Sequence, residues 1–317
     1  MKIERWSGRL RGLALVGMFL VVCIHCTSSF NATNGYLWAF GYHGFCRVAV
    51  PFFFLVSGAF LGRHVGETGW WRREAVKRCH TLVVPYFLWL TLFFAYRTVL
   101  VKLVGGEVDL SLSGLIEAFG LNPFRYPGLR PLWYVRALFG LVLISPAFVW
   151  IVRKIGVWPL LLALPFADWT FFPLGLAVGM GALDLRMTRP RAWMAFAVGC
   201  MLMTAGAVGA GMGQGASGWD WLCSVSLPLL AIGGINLAPD VKLPQRVAES
   251  AFPIYLMHMF LVSSVGLLIR SGSWRGGWLE PLVVIGGAVV VYVMTMGMAL
   301  AMRKAWPAAG VVLWGGR

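Results

Sequence analysis

A handful of ionisable side chains in this sequence sit where only apolar ones are inexpensive. His25 closes the run Arg9-Leu-Arg-Gly-Leu-Ala-Leu-Val-Gly-Met-Phe-Leu-Val-Val-Cys-Ile-His-Cys26. His43 and Arg47 lie in a second apolar run, Arg97 in a third, Arg136 in a fourth and His258 in a ninth. An ionisable group at membrane depth is costly and as a rule faces a bundle interior or a water-filled path. Imidazole, with its near-neutral pKa, suits general-base work or transient carriage of an acyl group. Arginine suits a developing oxyanion or a phosphate. The carboxylates are too few and too peripheral to neutralise these cations, so a bound anion is expected to supply the missing charge. Cys23, His25 and Cys26 point in different directions on a helix and no paired CxxC pattern occurs, so no metal site is expected.

The chain has 317 residues, 59% hydrophobic and 12% charged, with a mean hydropathy of +0.76. A soluble globular chain carries about 25% charged residues. Half that share, spread over repeated apolar runs, indicates an all-α, polytopic transmembrane bundle forming one domain over residues 1–317. Ten spans are expected, at roughly 10–29, 40–62, 80–101, 132–152, 156–166, 168–184, 191–211, 219–238, 250–270 and 280–302. The stretch from Ile155 to Leu183 is the least regular: too long for one span and short for two. Pro159, Pro165 and Pro173 interrupt it, and Asp168 suits a turn. Merging the two segments gives nine spans.

The net charge of +15 fits topology better than nucleic acid, because the basic residues sit in short loops. Nineteen lysines and arginines fall in the loops on one side and five on the other. Cytoplasmic loops are the lysine- and arginine-rich ones, which places both termini inside with ten spans. The basic N-terminus followed by an apolar run lacks a small-x-small cleavage pattern and is read as the first span rather than a signal peptide.

In that topology the first span runs outward and the second and fourth run inward. His25, Arg47, Tyr134 and Arg136 then share the outer half of the bundle, with His258 near mid-membrane. Fourteen steps from Arg11 to His25 cover roughly 21 Å along a helix, with the two side chains about 40° apart around the axis. The cytoplasmic face offers Arg11, Arg72, Arg73, Lys77 and Arg78, suited by charge and geometry to phosphates. Ser57, before Gly58, reads as part of a helix-packing pair rather than a nucleophile. The outer segment 103–131, with Glu107, Asp109, Glu117, Asn122, Arg125, Tyr126 and Arg130, lines a mouth or is a solvated connector.

Five stretches resemble the integral-membrane acyltransferase-3 family in its short form. They are Arg11-Gly-Leu-Ala with Val-Val-Cys-Ile-His25, Val50-Pro-Phe-Phe-Phe-Leu-Val-Ser-Gly58, Val84-Pro-Tyr-Phe-Leu-Trp89, Pro131-Leu-Trp-Tyr-Val-Arg-Ala-Leu-Phe139 with Ser145-Pro146, and Phe252-Pro-Ile-Tyr-Leu-Met-His258. The second is similar to the family's VPlFFxxSG segment and the last to its YLxH. The resemblance implies O-acylation, commonly acetylation, of a cell-envelope glycan or glycolipid at the bacterial cytoplasmic membrane. Acetyl-CoA on the cytoplasmic side is the implied donor.

The family's first-span arginine and histidine correspond to Arg11 and His25. Thirteen residues separate them here against the family's usual ten. Arg78 matches the first of the family's paired arginines, and Thr81 stands where the second would be. A transporter or flippase for an anionic lipid-linked saccharide, with broken spans and buried arginines, is the alternative; a non-catalytic scaffold is a third class. Self-association and partners in polysaccharide assembly stay open.

Overall fold

The computed structural model describes residues 7–30, 32–37, 41, 44–103, 105–122, 125–164, 166–211, 216–269, 272, 274–275, 277–306 and 310–314. His43 lies outside the described residues. Helices run in the order α1 (Ser7–Ser29), α2 (Gly35–Leu37), α3 (Ala49–Gly62), α4 (Trp70–Arg78), α5 (Val84–Leu103), α6 (Leu112–Ala118), α7 (Trp133–Lys154), α8 (Trp158–Ala163), α9 (Phe171–Gly179), α10 (Arg189–Gly211), α11 (Ala216–Leu237), α12 (Gln245–Ala248), α13 (Ala251–Ile269), α14 (Glu280–Ala305) and α15 (Gly310–Leu313). Among the described residues there is no strand, and eight helical stretches are long and apolar enough to cross a membrane. The chain is a polytopic helical membrane bundle. Exposed tryptophans stand at or near helix ends, as interfacial anchors do: Trp71, Trp150, Trp158, Trp169, Trp193, Trp221, Trp278 and Trp306. Amphipathic indoles favour such interfacial levels.

The segments expected as the fifth and sixth spans are instead two short helices. At about 1.5 Å per residue, α8 and α9 rise roughly 9 and 14 Å, against a hydrocarbon core about 30 Å thick. Gly156 with φ +95° and Pro159 at the start of α8 break the chain after α7. A 3-10 turn, Asp168–Thr170, leads into α9, whose residues Phe171 to Val178 are all buried. The apolar character of α9 comes from burial in protein, not from contact with lipid.

What buries α9 is α3. Gly58-x-x-x-Gly62 faces Gly175-x-x-x-Gly179, with the two helices running in the same direction. A Cβ on Gly58 would stand 2.0 Å from the Phe172 carbonyl oxygen, and one on Gly175 1.9 Å from that of Leu55. Small residues let membrane helices approach backbone to backbone in this way. The pairing brings the start of α9 alongside the start of α3, and so Asp168 alongside Arg47.

Two prolines shape the helices that reach the site. Pro146 cannot donate to the Val142 carbonyl; Ser145 Oγ does so at 2.7 Å and keeps α7 satisfied. Ahead of Pro85, residues Cys79–Val83 form a π turn, and the Val84 N–H bonds five residues back to Cys79. Such bulges accompany functional sites, and this one follows directly on Lys77 and Arg78. At the opposite end, buried Glu280 of α14 accepts hydrogen bonds from the Thr33 and Asn34 backbone N–H groups and the Thr33 hydroxyl. That contact ties down the chain leaving α1.

Candidate active site

A cavity of about 920 Å³ runs between α1, α3, α4, α7 and α13. Its wall on α1 is the stripe Ala14, Met18, Val21, Ile24, His25 and Ser28; the facing stripe is Arg47, in the 3-10 turn Phe45–Val48 just before α3, followed by Val50, Phe53, Val56, Ser57 and Phe60 of α3. Both stripes follow the three-to-four spacing of one helix face. From Ala14 to Ser28 the wall extends roughly 21 Å. One mouth is lined by Arg63, His64, Lys77 and Arg78; the other end holds His25, Arg47, Asp168, Tyr126 and Arg130.

His25 is half-buried on this wall, and its ring centroid lies 5.2 Å from that of His258. His258 is fully buried. Its Nδ1 lies 2.8 Å from the Tyr255 carbonyl oxygen and 3.1 Å from that of Ile254. Carbonyls only accept, so Nδ1 carries the proton and Nε2 is left as an acceptor. That Nε2 has no hydrogen-bond partner among the described residues. Tyr255 in turn donates to the Pro131 carbonyl and fixes α13 against the start of α7.

Arg47 is held by both carboxylate oxygens of Asp168, at 3.1 and 3.3 Å. A bound anion was expected to supply charge the carboxylates could not; for Arg47 the protein itself supplies it, from a carboxylate 121 residues away. An acid between Pro165 and Pro173 in an apolar stretch was the available signal, since such residues are rare at membrane depth. Tyr134 lines the cavity and shares a hydrogen bond of 3.3 Å with Ser57.

Arg136 is not among the lining residues. Its guanidinium donates to the Gly120, Asn122 and Arg125 carbonyls at 2.8–2.9 Å and clamps the segment before α7. Arg97 is exposed on α5.

Of the basic residues expected to bind phosphate, Lys77 and Arg78 line the mouth, while Arg11, Arg72 and Arg73 are exposed outside it. Arg73 pairs with Glu67, whose carboxyl is held below its ordinary pKa first by the hydrogen bond from His64. Arg63 and His64 join the mouth from the chain just after α3. Charge bias alone ranks all the basic loop residues alike and so did not single them out.

A membrane-embedded helical bundle with a largely apolar cavity, a histidine pair at one end and a cationic mouth at the other has the makings of a group-transfer site. The acyltransferase domain model of the acyltransferase-3 family matches residues 9–300, and the chain belongs to that family. It is therefore a multi-pass membrane acyltransferase. No curated protein and no solved structure matches it.

Proposed function

We propose that the protein moves an acetyl or similar acyl group from cytoplasmic acyl-CoA to a hydroxyl of a cell-envelope glycan or glycolipid in the bacterial inner membrane. The observation that carries this reading is the single cavity joining the cationic mouth to His25. Phosphates of the donor rest on the mouth, on the lysine- and arginine-rich side that topology assigns to the cytoplasm. The thioester reaches along the apolar wall of α1 and α3. His25 takes the proton of the acceptor hydroxyl as its oxygen attacks the thioester carbonyl. The C–S bond then breaks, the ester forms, and the thiolate of CoA leaves with that proton. Tyr134 and Arg47 stand on the wall where an oxyanion would develop. His258, with its free Nε2, keeps its neighbour's ring in place and serves as the second proton station.

Purified protein in detergent, given acetyl-CoA labelled in the acetyl group and an envelope glycan fraction, is expected to place label on the glycan in an alkali-labile ester. Movement of the glycan without covalent change would instead support a transporter.

Asp168→Asn leaves Arg47 without its charged partner in a site where the two side chains are only 30% and 18% exposed. Loss of one charge-assisted pair is worth about 1.5 kcal/mol or more, so transfer is expected to fall about tenfold. Steady-state label transfer checks this, and an unchanged rate would remove the ion pair from the reaction.

A further inference from the structure

Glu74 is buried at 6% exposure on α4 among the cations of the mouth. Its Oε1 lies 3.5 Å from Lys77 Nζ and 4.0 Å from His64 Nε2, and its Oε2 lies 3.6 Å from Arg78 Nε. Neither Glu74 Oε2 nor Arg78 Nε has a hydrogen-bond partner among the described residues, although both atoms are buried. Charge-assisted pairs in proteins close to about 2.7–2.9 Å. One carboxylate here is shared loosely by two cations and lies within 4.0 Å of the His64 imidazole, and all three of those side chains line the cavity.

We propose that Glu74 stands in for the donor's phosphates: it balances Lys77 and Arg78 while the mouth is empty and yields them when a polyanion enters. The inference rests on the reading of this mouth as the acyl-CoA site. Without a carboxylate in place, Arg78, whose side chain is only 18% exposed and whose Nε is buried, would be a poorly compensated charge, which is costly. With phosphate present, the same carboxylate sits a few ångströms from it and repels it. Glu74 therefore stabilises the empty protein, weakens donor binding and favours release of CoA after transfer. It is a positioning residue, since it acts through the cations and not on the reacting atoms.

The test is Glu74→Gln, which keeps shape and removes charge. Titration calorimetry of purified protein with CoA is expected to show about three- to tenfold tighter binding than wild type, the gain shrinking at high salt. With dephospho-CoA, which lacks one phosphate, the gain is expected to be smaller. The melting temperature without ligand should fall, and its rise on adding CoA should exceed that of wild type, as linkage requires. Equal or weaker binding of CoA by the variant would overturn the proposal while leaving the donor reading intact. A wild-type protein that does not bind CoA at all would remove both. Should the glutamine variant not fold, Glu74→Asp, which draws the carboxylate back, is expected to shift CoA binding in the same direction by less. Unchanged binding there would count equally against the idea.

Discussion

His25→Ala is expected to lower acyl transfer by about 10²–10⁴-fold, the usual contribution of a positioned general base. The substitution removes a half-buried ring from a cavity wall, not a core contact, so the bundle should stay folded with a nearly unchanged melting temperature. CoA binding at the cationic mouth, eleven residues or roughly 16 Å back along α1 at the level of Ala14, should persist. That combination separates a chemical role from a structural one. His258→Gln gives the companion measurement. The fully buried His258 ring is held by two carbonyls and lies 5.2 Å from His25. Its loss should cost stability as well as rate, with the larger share of the rate loss in kcat. A His25→Ala protein that transfers acyl groups at the wild-type rate would end the assignment of this cavity as the reaction site.

What was legible in the sequence follows from which forces leave a local trace. The α1 stripe Ala14, Met18, Val21, His25 and Ser28 obeys the same helical periodicity that puts Arg11 and His25 on one face, so the histidine's face is legible in the spacing, while the cavity it lines is not. Span order places His25 in the outer half and His258 near mid-membrane, and the 5.2 Å between their rings is set by the packing of α1 against α13, which sequence does not give. The segment 156–184 was misread as two spans because hydropathy does not distinguish burial in lipid from burial in protein, and α9 is apolar on every side for the second reason. The glycine pairs of α3 and α9 were the missed signal: small residues four apart in both segments predict a helix packed on a helix. Arg136 looked like a site residue because it is an arginine in an apolar run. Its partners are backbone carbonyls of the loop before it, and carbonyls leave no mark in a sequence. The shared carboxylate at the mouth was hidden for another reason. Glu74 at three and four residues from Lys77 and Arg78 reads as ordinary helix-surface pairing until its burial is seen.

The close approach of α3 and α9 makes a second large effect predictable. Gly175→Val would place a side chain whose Cβ alone falls 1.9 Å from the Leu55 carbonyl oxygen and 3.0 Å from the Ala59 backbone nitrogen. The obstacle is backbone on a neighbouring helix, so no rotamer change relieves it, and α9 must move away from α3. Overpacking of this kind costs about 1–3 kcal/mol, and more where backbone has to shift. The displacement also draws Asp168, only seven residues before Gly175, away from Arg47, so stability and the site's electrostatics fail together. Thermal unfolding followed by size-exclusion chromatography is expected to show a strongly lowered melting temperature and little monodisperse protein. Gly297→Ala on α14, where a new Cβ meets nothing within 4 Å, is the control. In a helix interior alanine is favoured over glycine by about 1 kcal/mol, so that variant should be neutral or slightly more stable. A Gly175→Val protein as stable as the control would mean that α9 does not lie against α3, and the pairing of Asp168 with Arg47 would go with it.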